Sequence, residues 1–263
     1  MPFKKLLASF GAGGASVETA LTDADVMPGG SVDGEVRIRG GSVNQQIQGL
    51  TVGLQARIEV EFETEGEDAE REQDLRFTAV RLGGAFELQA GAEHTVPFTL
   101  GVPWETPITA IDGQSLRGMK VGVATELDIA RAVDSSDLDL LRIRPLPAQQ
   151  AILDAFIRLG FRFKSADIER GHIRGTRQQL PFYQEIEFLA PQQYSGLHEV
   201  ELSFVADDNA MDVVLEMDKR SGLFRQGGDT IRVFELGHHE HQGTDWAAYL
   251  HQWLSDAITR HRF

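Results

Sequence analysis

From Val121 to Ile129 the side chains take turns. Val121, Val123, Thr125, Leu127 and Ile129 share one side, and Gly122, Ala124, Glu126 and Asp128 share the other. A period of two marks a half-buried β-strand, because successive Cβ atoms project from opposite faces of a pleated backbone. The same beat runs through most of the chain. Val32, Val36 and Ile38 alternate with Asp33, Glu35, Arg37 and Arg39. Leu50, Val52, Leu54, Ala56, Ile58, Val60 and Phe62 alternate with Thr51, Gln55, Arg57, Glu59, Glu61 and Glu63. At strand rise that run reaches ~40 Å, so it reads as one very long strand or as one bent near Gly53. The acidic stretch Glu65–Asp74 reads as a solvated hairpin tip, with an acidic docking surface as the sharper alternative. Shorter alternating pieces follow at Leu75–Val80, Phe86–Leu88 and Val96–Leu100, punctuated by Gly83-Gly84, Pro103 and Pro107. Closely spaced strands with Gly and Pro turns and no helical period predict an antiparallel sandwich.

The alternation breaks at Asp134-Ser135-Ser136-Asp137, resumes briefly, and stops at Pro145-Leu146-Pro147. There the period changes. Ile152, Leu153, Phe156 and Ile157 fall at helical spacing and Gly160 sits where a C-cap glycine belongs, which predicts a helix over about residues 148–159. Alternation returns at Phe161–Phe163, Gln184–Leu189, Glu199–Val205, Met211–Met217 and Thr230–Phe234. A stripe of Trp246, Tyr249, Leu250, Trp253, Ala257 and Ile258 then predicts a closing helix over about 245–261, capped by Thr244 or Asp245. This helix is expected to dock on its own sandwich; Trp246 and Trp253 would also suit a partner groove or a second subunit. The chain thus reads as all-β, with residues 1–144 and 145–263 forming two antiparallel β-sandwiches in tandem, joined around Arg144–Ala148.

Composition narrows the function classes. A formal net charge of −15 opposes nucleic acid or an anionic membrane as the main partner. Zero cysteines leave no disulfide, thiolate nucleophile or Cys-ligated metal. Lys4-Lys5 precede an apolar run, as in a leader, but Leu6–Phe10 is short and no segment approaches the ~20 apolar residues of a membrane span. The expectation is a soluble cytoplasmic protein, with export as the lesser alternative.

Order and turn chemistry together carry a family resemblance. VMPGGSVDGEVRIRGG (26–41) looks like the early strand of arrestin-type domains, where a Pro-Gly turn precedes an alternating strand. The segment 121–145, the short helix, LPFYQEIEFLAP, LHEVELSFVADD and VVLEMDKRSGLF follow in an order similar to the bacterial sporulation-control protein family. The resemblance covers nearly the whole chain and implies two arrestin-like sandwiches. It also implies a regulatory, non-catalytic role exercised through protein partners, without a cofactor. The phosphate-sensing residues of arrestins proper have no matching positions here.

The candidate sites are few. Gly11–Ser16 lacks the third glycine and the following helix of a dinucleotide loop, and Gly113–Gly118 has its second glycine one place late for a nucleophile elbow. His238-His239-Glu240-His241 is the best metal candidate, with His251 as a further ligand, and founds the alternative of a metal-binding module or metal-dependent hydrolase. The plainer reading is an exposed polar linker. Asp134, Asp137 and Asp139 lack the glycine and distal Glu of an EF-hand and read as an acidic turn near the joint. Arg142 and Arg144 stand close enough in sequence to pair with them across it and bias the tilt of the two bodies. Glu185 and Glu187 on one strand, like Glu199 and Glu201 on another, read as outward-facing alternation. A sugar- or lipid-binding sandwich would need more aromatic surface than three Tyr and three Trp supply. The leading expectation is a scaffold that holds protein partners at sheet edges, concave faces or the interdomain groove, with a homodimer open.

Overall fold

A computed structural model describes residues 14–64, 67–195, 197–219 and 231–260. In chain order the first half holds β1 (Ser16–Leu21), β2 (Asp25–Val26), β3 (Ser31–Arg39), β4 (Gln45–Thr64), β5 (Glu67–Arg76), β6 (Val80–Gly83), β7 (Phe86–Leu88) and β8 (Glu93–Gly101). It continues with β9 (Ala110–Ile111), β10 (Gln114–Ser115), β11 (Val121–Ile129), β12 (Ser135–Leu140) and β13 (Arg142–Ile143). The second half holds α1 (Pro147–Arg158), β14 (Arg162–Arg170), β15 (Phe182–Leu189), β16 (Leu197–Ala206), β17 (Ala210–Lys219), β18 (Arg232–Gly237) and α2 (Trp246–Arg260). The fold is mostly β with two helices, as the alternation predicts.

The long alternating run is one strand of 20 residues, β4. Leu50, Val52, Leu54, Ala56 and Ile58 are all within 1% of full burial, so its apolar face is the floor of the core. At Gly53 another segment crosses close to the strand. A Cβ there would lie 2.0 Å from the carbonyl oxygen of Thr78, and Leu54 O accepts from Phe77 N at 2.9 Å where the chain passes from β5 to β6. The acidic stretch is largely the outgoing strand β5, paired along β4, rather than a hairpin tip.

Two sheets carry the first half. A three-stranded sheet, β1-β3-β8, faces an 11-stranded one ordered β12-β11-β4-β14-β15-β16-β17-β18, with β5, β6 and β7 also paired to β4. Val36 and Ile38 of β3 pack with Val123 and Leu127 of β11 in one apolar cluster, and Thr19 and Thr125 share a buried 2.6 Å hydrogen bond across the gap. The long sheet runs on without a break into the second half, because β14 joins β4 through a short parallel contact at Glu59 and Glu169. There the layer over the inner face of the sheet is helical. Phe156 of α1 stacks on Phe188 of β15 at 5.2 Å, and Phe234 of β18 meets Trp246, Tyr249 and Trp253 of α2.

Local chemistry accounts for both helices. Pro147 occupies the first turn of α1, Gln149 Oε1 accepts from Leu146 N at 2.8 Å, and Gly160 takes φ +87° beyond its end. Asp245 Oδ1 accepts from Ala248 N at 3.3 Å at the start of α2 and from Arg158 Nη2 at 3.2 Å, tying the two helices together. Leu250 and Leu254 are fully buried, whereas Tyr249 is 42% exposed. Leu250→Ala is expected to cost about 2–5 kcal/mol in urea unfolding, Tyr249→Ala much less, and truncation before Asp245 should lower the Tm clearly.

Candidate functional site

The outward face of the second-half sheet is where charge, burial and a cavity coincide. Tyr183, Glu185 and Glu187 alternate outward on β15 while Phe182, Gln184, Ile186 and Phe188 point into the core. Register brings carboxylates side by side: Glu187 lies opposite Glu201, Glu201 opposite Glu216, and Asp167 opposite Glu185. One carboxylate oxygen each from Glu185, Glu201 and Glu216 falls within 4.8 Å of the others. They line a cavity of about 370 Å³ whose walls include His172, Ile173, Arg174, Val214 and Ile231. Ile173, Val205 and Val214 form a small apolar cluster there, separate from the main core, with Tyr183 packed on it.

Two sets of ion pairs involve the same strands. Lys164 Nζ sits 2.5 Å from Glu187 and 2.7 Å from Glu199, which holds its pKa above the usual lysine range. Arg177 reaches Asp207 at 3.0 Å, Asp212 at 3.1 Å and Glu235 at 2.5 Å. Two backbone N–H groups, those of Ala210 and Asn209, are the main cause of a lowered Asp207 pKa. Two carboxyls lining the cavity are shifted upward. Burial, then the charge of Glu201, pushes Glu185 up to about 9; burial, then Glu216, pushes Glu201 up to about 7. The cavity is roofed by the loop after β14, which folds around buried Gln178. Its Oε1 accepts from Ile173 N at 2.8 Å, and its Nε2 donates to the carbonyls of Gly171, Leu180 and Phe182.

Next to this loop the two halves are clamped by side chains on backbone groups. Gln184 of β15 accepts from Ile108 N at 3.0 Å and donates to Ile108 O at 2.8 Å, so one amide imitates a strand neighbour in a buried place. Glu105 accepts from Gln179 N at 2.8 Å and from Leu180 N at 3.0 Å. Trp104 stacks on His238 with ring centroids 4.9 Å apart, and its ring also lies against Gly29, where a Cβ would lie 2.6 Å from it.

The residues singled out from sequence are distributed differently from the expectation. Asp134 Oδ1 closes the β11–β12 turn by accepting from Ile129 N at 2.9 Å, while Asp137 and Asp139 lie on β12 itself. Asp137 accepts from Thr19 N at 2.7 Å, as Ser135 Oγ does from Val17 N at 3.1 Å, so these side chains tie β12 to β1. Burial, then Asp137, pushes Asp139 up to about 6. Arg142 and Arg144 do not meet these aspartates: Arg142 donates to Gly113 O at 2.7 Å, and Arg144 pairs with Asp25. Trp246 is buried and Trp253 partly so, both against Phe234. His238 Nε2 bonds Asp207 O and His241 Nδ1 bonds His238 O, each at 2.7 Å, and His251 Nδ1 bonds the Tyr194 hydroxyl at 2.9 Å. Among the described residues these imidazoles do not converge on a shared point. Ser115 is exposed in the β9–β10 hairpin, and Gly11–Gly13 lie outside the described residues. Glu216 was the residue that alternation alone did not single out; only strand order brings it beside Glu201.

The family model described as "Spo0M: SpoOM protein" matches residues 3–221. The chain belongs to this family. It is 35% identical over 241 residues to the sporulation-control protein Spo0M of Bacillus subtilis (strain 168), covering 88% of this chain and 89% of that relative. It also superposes on the crystal structure of Spo0M from Bacillus subtilis with a TM-score of 0.77 and 29% identity, over 93% of this chain and 99% of that one. Membership of the Spo0M family supports a regulatory role. Among the described residues no helix is long and apolar enough to cross a membrane.

The clamp at Ile108 makes a direct prediction for this Spo0M-family chain. Gln184→Ala leaves a buried backbone N–H and C=O unpaired, an expected loss of about 1–3 kcal/mol in urea unfolding.

Proposed function

We propose that this protein is a non-catalytic regulatory scaffold that holds an extended segment of a protein partner along β18. One observation carries the reading: the two ends of the long sheet are unlike. At the β12 end, the side chains of Ser135 and Asp137 accept from the backbone N–H groups of Val17 and Thr19, tying that strand to β1 of the facing sheet. At the other end β18 is paired, among the described residues, with β17 alone, and the apolar side chains of Ile231 and Val233 are 52% and 41% exposed there. An edge strand with unpaired backbone groups and exposed apolar residues is a template for strand addition unless it is blunted.

The sporulation-control relatives support regulation as the purpose of such binding. In this reading the chain is a tandem of arrestin-like units over 1–144 and 145–263, working in the cytoplasm, and the clamps at Ile108, Glu105 and Trp104 hold one unit against the other. The test is quantitative capture of crosslinked partners from the native host. Ile231→Lys/Val233→Lys is expected to reduce capture about tenfold or more while leaving the circular dichroism spectrum unchanged, since charge on an edge opposes strand addition. A matching Lys substitution at Thr95, on the separate β8 strand, should leave capture intact. Equal capture by all three proteins would remove β18 from the reading.

A further inference from the structure

The inward face of β12 carries two carboxyls at the rim of the apolar core. Ser135, Asp137 and Asp139 share that face, while Ser136, Leu138 and Leu140 are exposed on the other. Register sets Asp137 opposite Thr125 and Asp139 opposite Val123, both fully buried on β11. Alternate positions of a strand lie about 7 Å apart, so the carboxyls of such neighbours can meet. Asp137 is held in place: its Oδ2 accepts from Thr19 N at 2.7 Å and its Oδ1 from Leu138 N at 3.0 Å. Asp139 is not. Its Oδ2 is closed off from solvent and, among the described residues, receives no hydrogen bond. The side chain within hydrogen-bond reach of Asp139 is Asp137, a second acceptor. From β1 the charge that acts on Asp139 is Glu18, whose neighbour across β3 is Arg37, itself bonded to Glu35. From β11 the facing residues are Val123 and Thr125, which carry no charge. Arg142 and Arg144, next along the chain, are engaged by Gly113 and Asp25. A buried carboxylate oxygen without a donor is costly, and a proton turns the same carboxyl into a donor.

We propose that Asp139 and Asp137 share a proton that latches β12 to β1, making this seam between the two facing sheets a pH-sensitive joint. With the proton on Asp139, its hydroxyl donates to Asp137, and Asp137 carries the tie on to the Thr19 N–H. When the proton leaves to solvent, two carboxylates stand side by side, and their repulsion works against the contact with β1. Burial, then Asp137, then Glu18 raise the Asp139 pKa from the ordinary 3.8 to about 6. The folded chain thus holds a proton that the unfolded chain has already given up. This contribution to stability is complete below 3.8 and is lost as pH rises through about 6.

Urea unfolding of the wild type and of Asp139→Asn tests this. Other carboxyls titrate in the same range, so the quantity to follow is the ratio of the two folding constants, in which distant groups cancel. The asparagine amide can donate to Asp137 at every pH, as the protonated acid does. The ratio of wild type to variant is expected to fall about tenfold from about pH 5 to about pH 7. Exchange protection of the Thr19 amide, corrected for the intrinsic pH dependence, should fall over the same range in the wild type and stay level in Asp139→Asn. Carboxyl carbon-13 titration of the wild type serves if the variant does not fold, and should place Asp139 at about 6. In Asp137→Asn that midpoint should move down, because one of the charges that raise it is gone. The proposal is overturned by a constant ratio, or by Thr19 protection that stays level in the wild type or falls equally in both proteins. Titration of Asp139 near 3.8, or a midpoint that Asp137→Asn leaves in place, overturns it as well.

Discussion

The backbone hydrogen-bond ladder of β4 is the constraint on which the rest depends. Its first part pairs with β11 on one side and with β6 and β7 on the other, and its last part pairs with β5 and touches β14. Nearly all of these pairings are made within the first half; the contact of Glu59 with Glu169 of β14 is the exception. The second half supplies the last pairing, so a single sheet runs through both. Gly53 is the local condition for this: any side chain there would push away the Thr78 carbonyl and the segment that crosses from β5 to β6.

Given that shared sheet, the joint is made by side chains that behave like backbone. Gln184 gives Ile108 both halves of a strand-like pairing, and Glu105 takes the two amides at the start of the segment leading to β15. Such contacts resist tilting because leaving a buried amide unpaired is costly. The stacking of Trp104 on His238 adds a rigid contact nearby, made possible by the bare face of Gly29. These contacts fix how residues 104–108 meet the segment leading into β15 and the start of the turn after β18.

Much of this architecture was legible in the sequence because burial on one face leaves a period-two trace. The run from Leu50 to Ile58, the strand at Val121, both helices and the Gly160 cap all follow from local rules. What alternation cannot carry is register between strands distant in sequence. Glu185, Glu201 and Glu216 each look like ordinary outward positions; only their alignment turns them into a half-buried crowd. Asp137 and Asp139 likewise read as a turn, but the turn closes earlier, at Asp134, so they are strand residues that meet β1. Arg144 finds Asp25 instead, a partner more than a hundred residues away that no spacing rule announces.

The sealed seam between β1 and β12 has a consequence for self-association. A sheet with two bondable ends can add copies head to tail without limit and grow into a fibre. Here Ser135 and Asp137 tie one end of the long sheet to the chain's own β1, so its two ends are not alike as templates for another copy. A strand end so anchored works against head-to-tail growth.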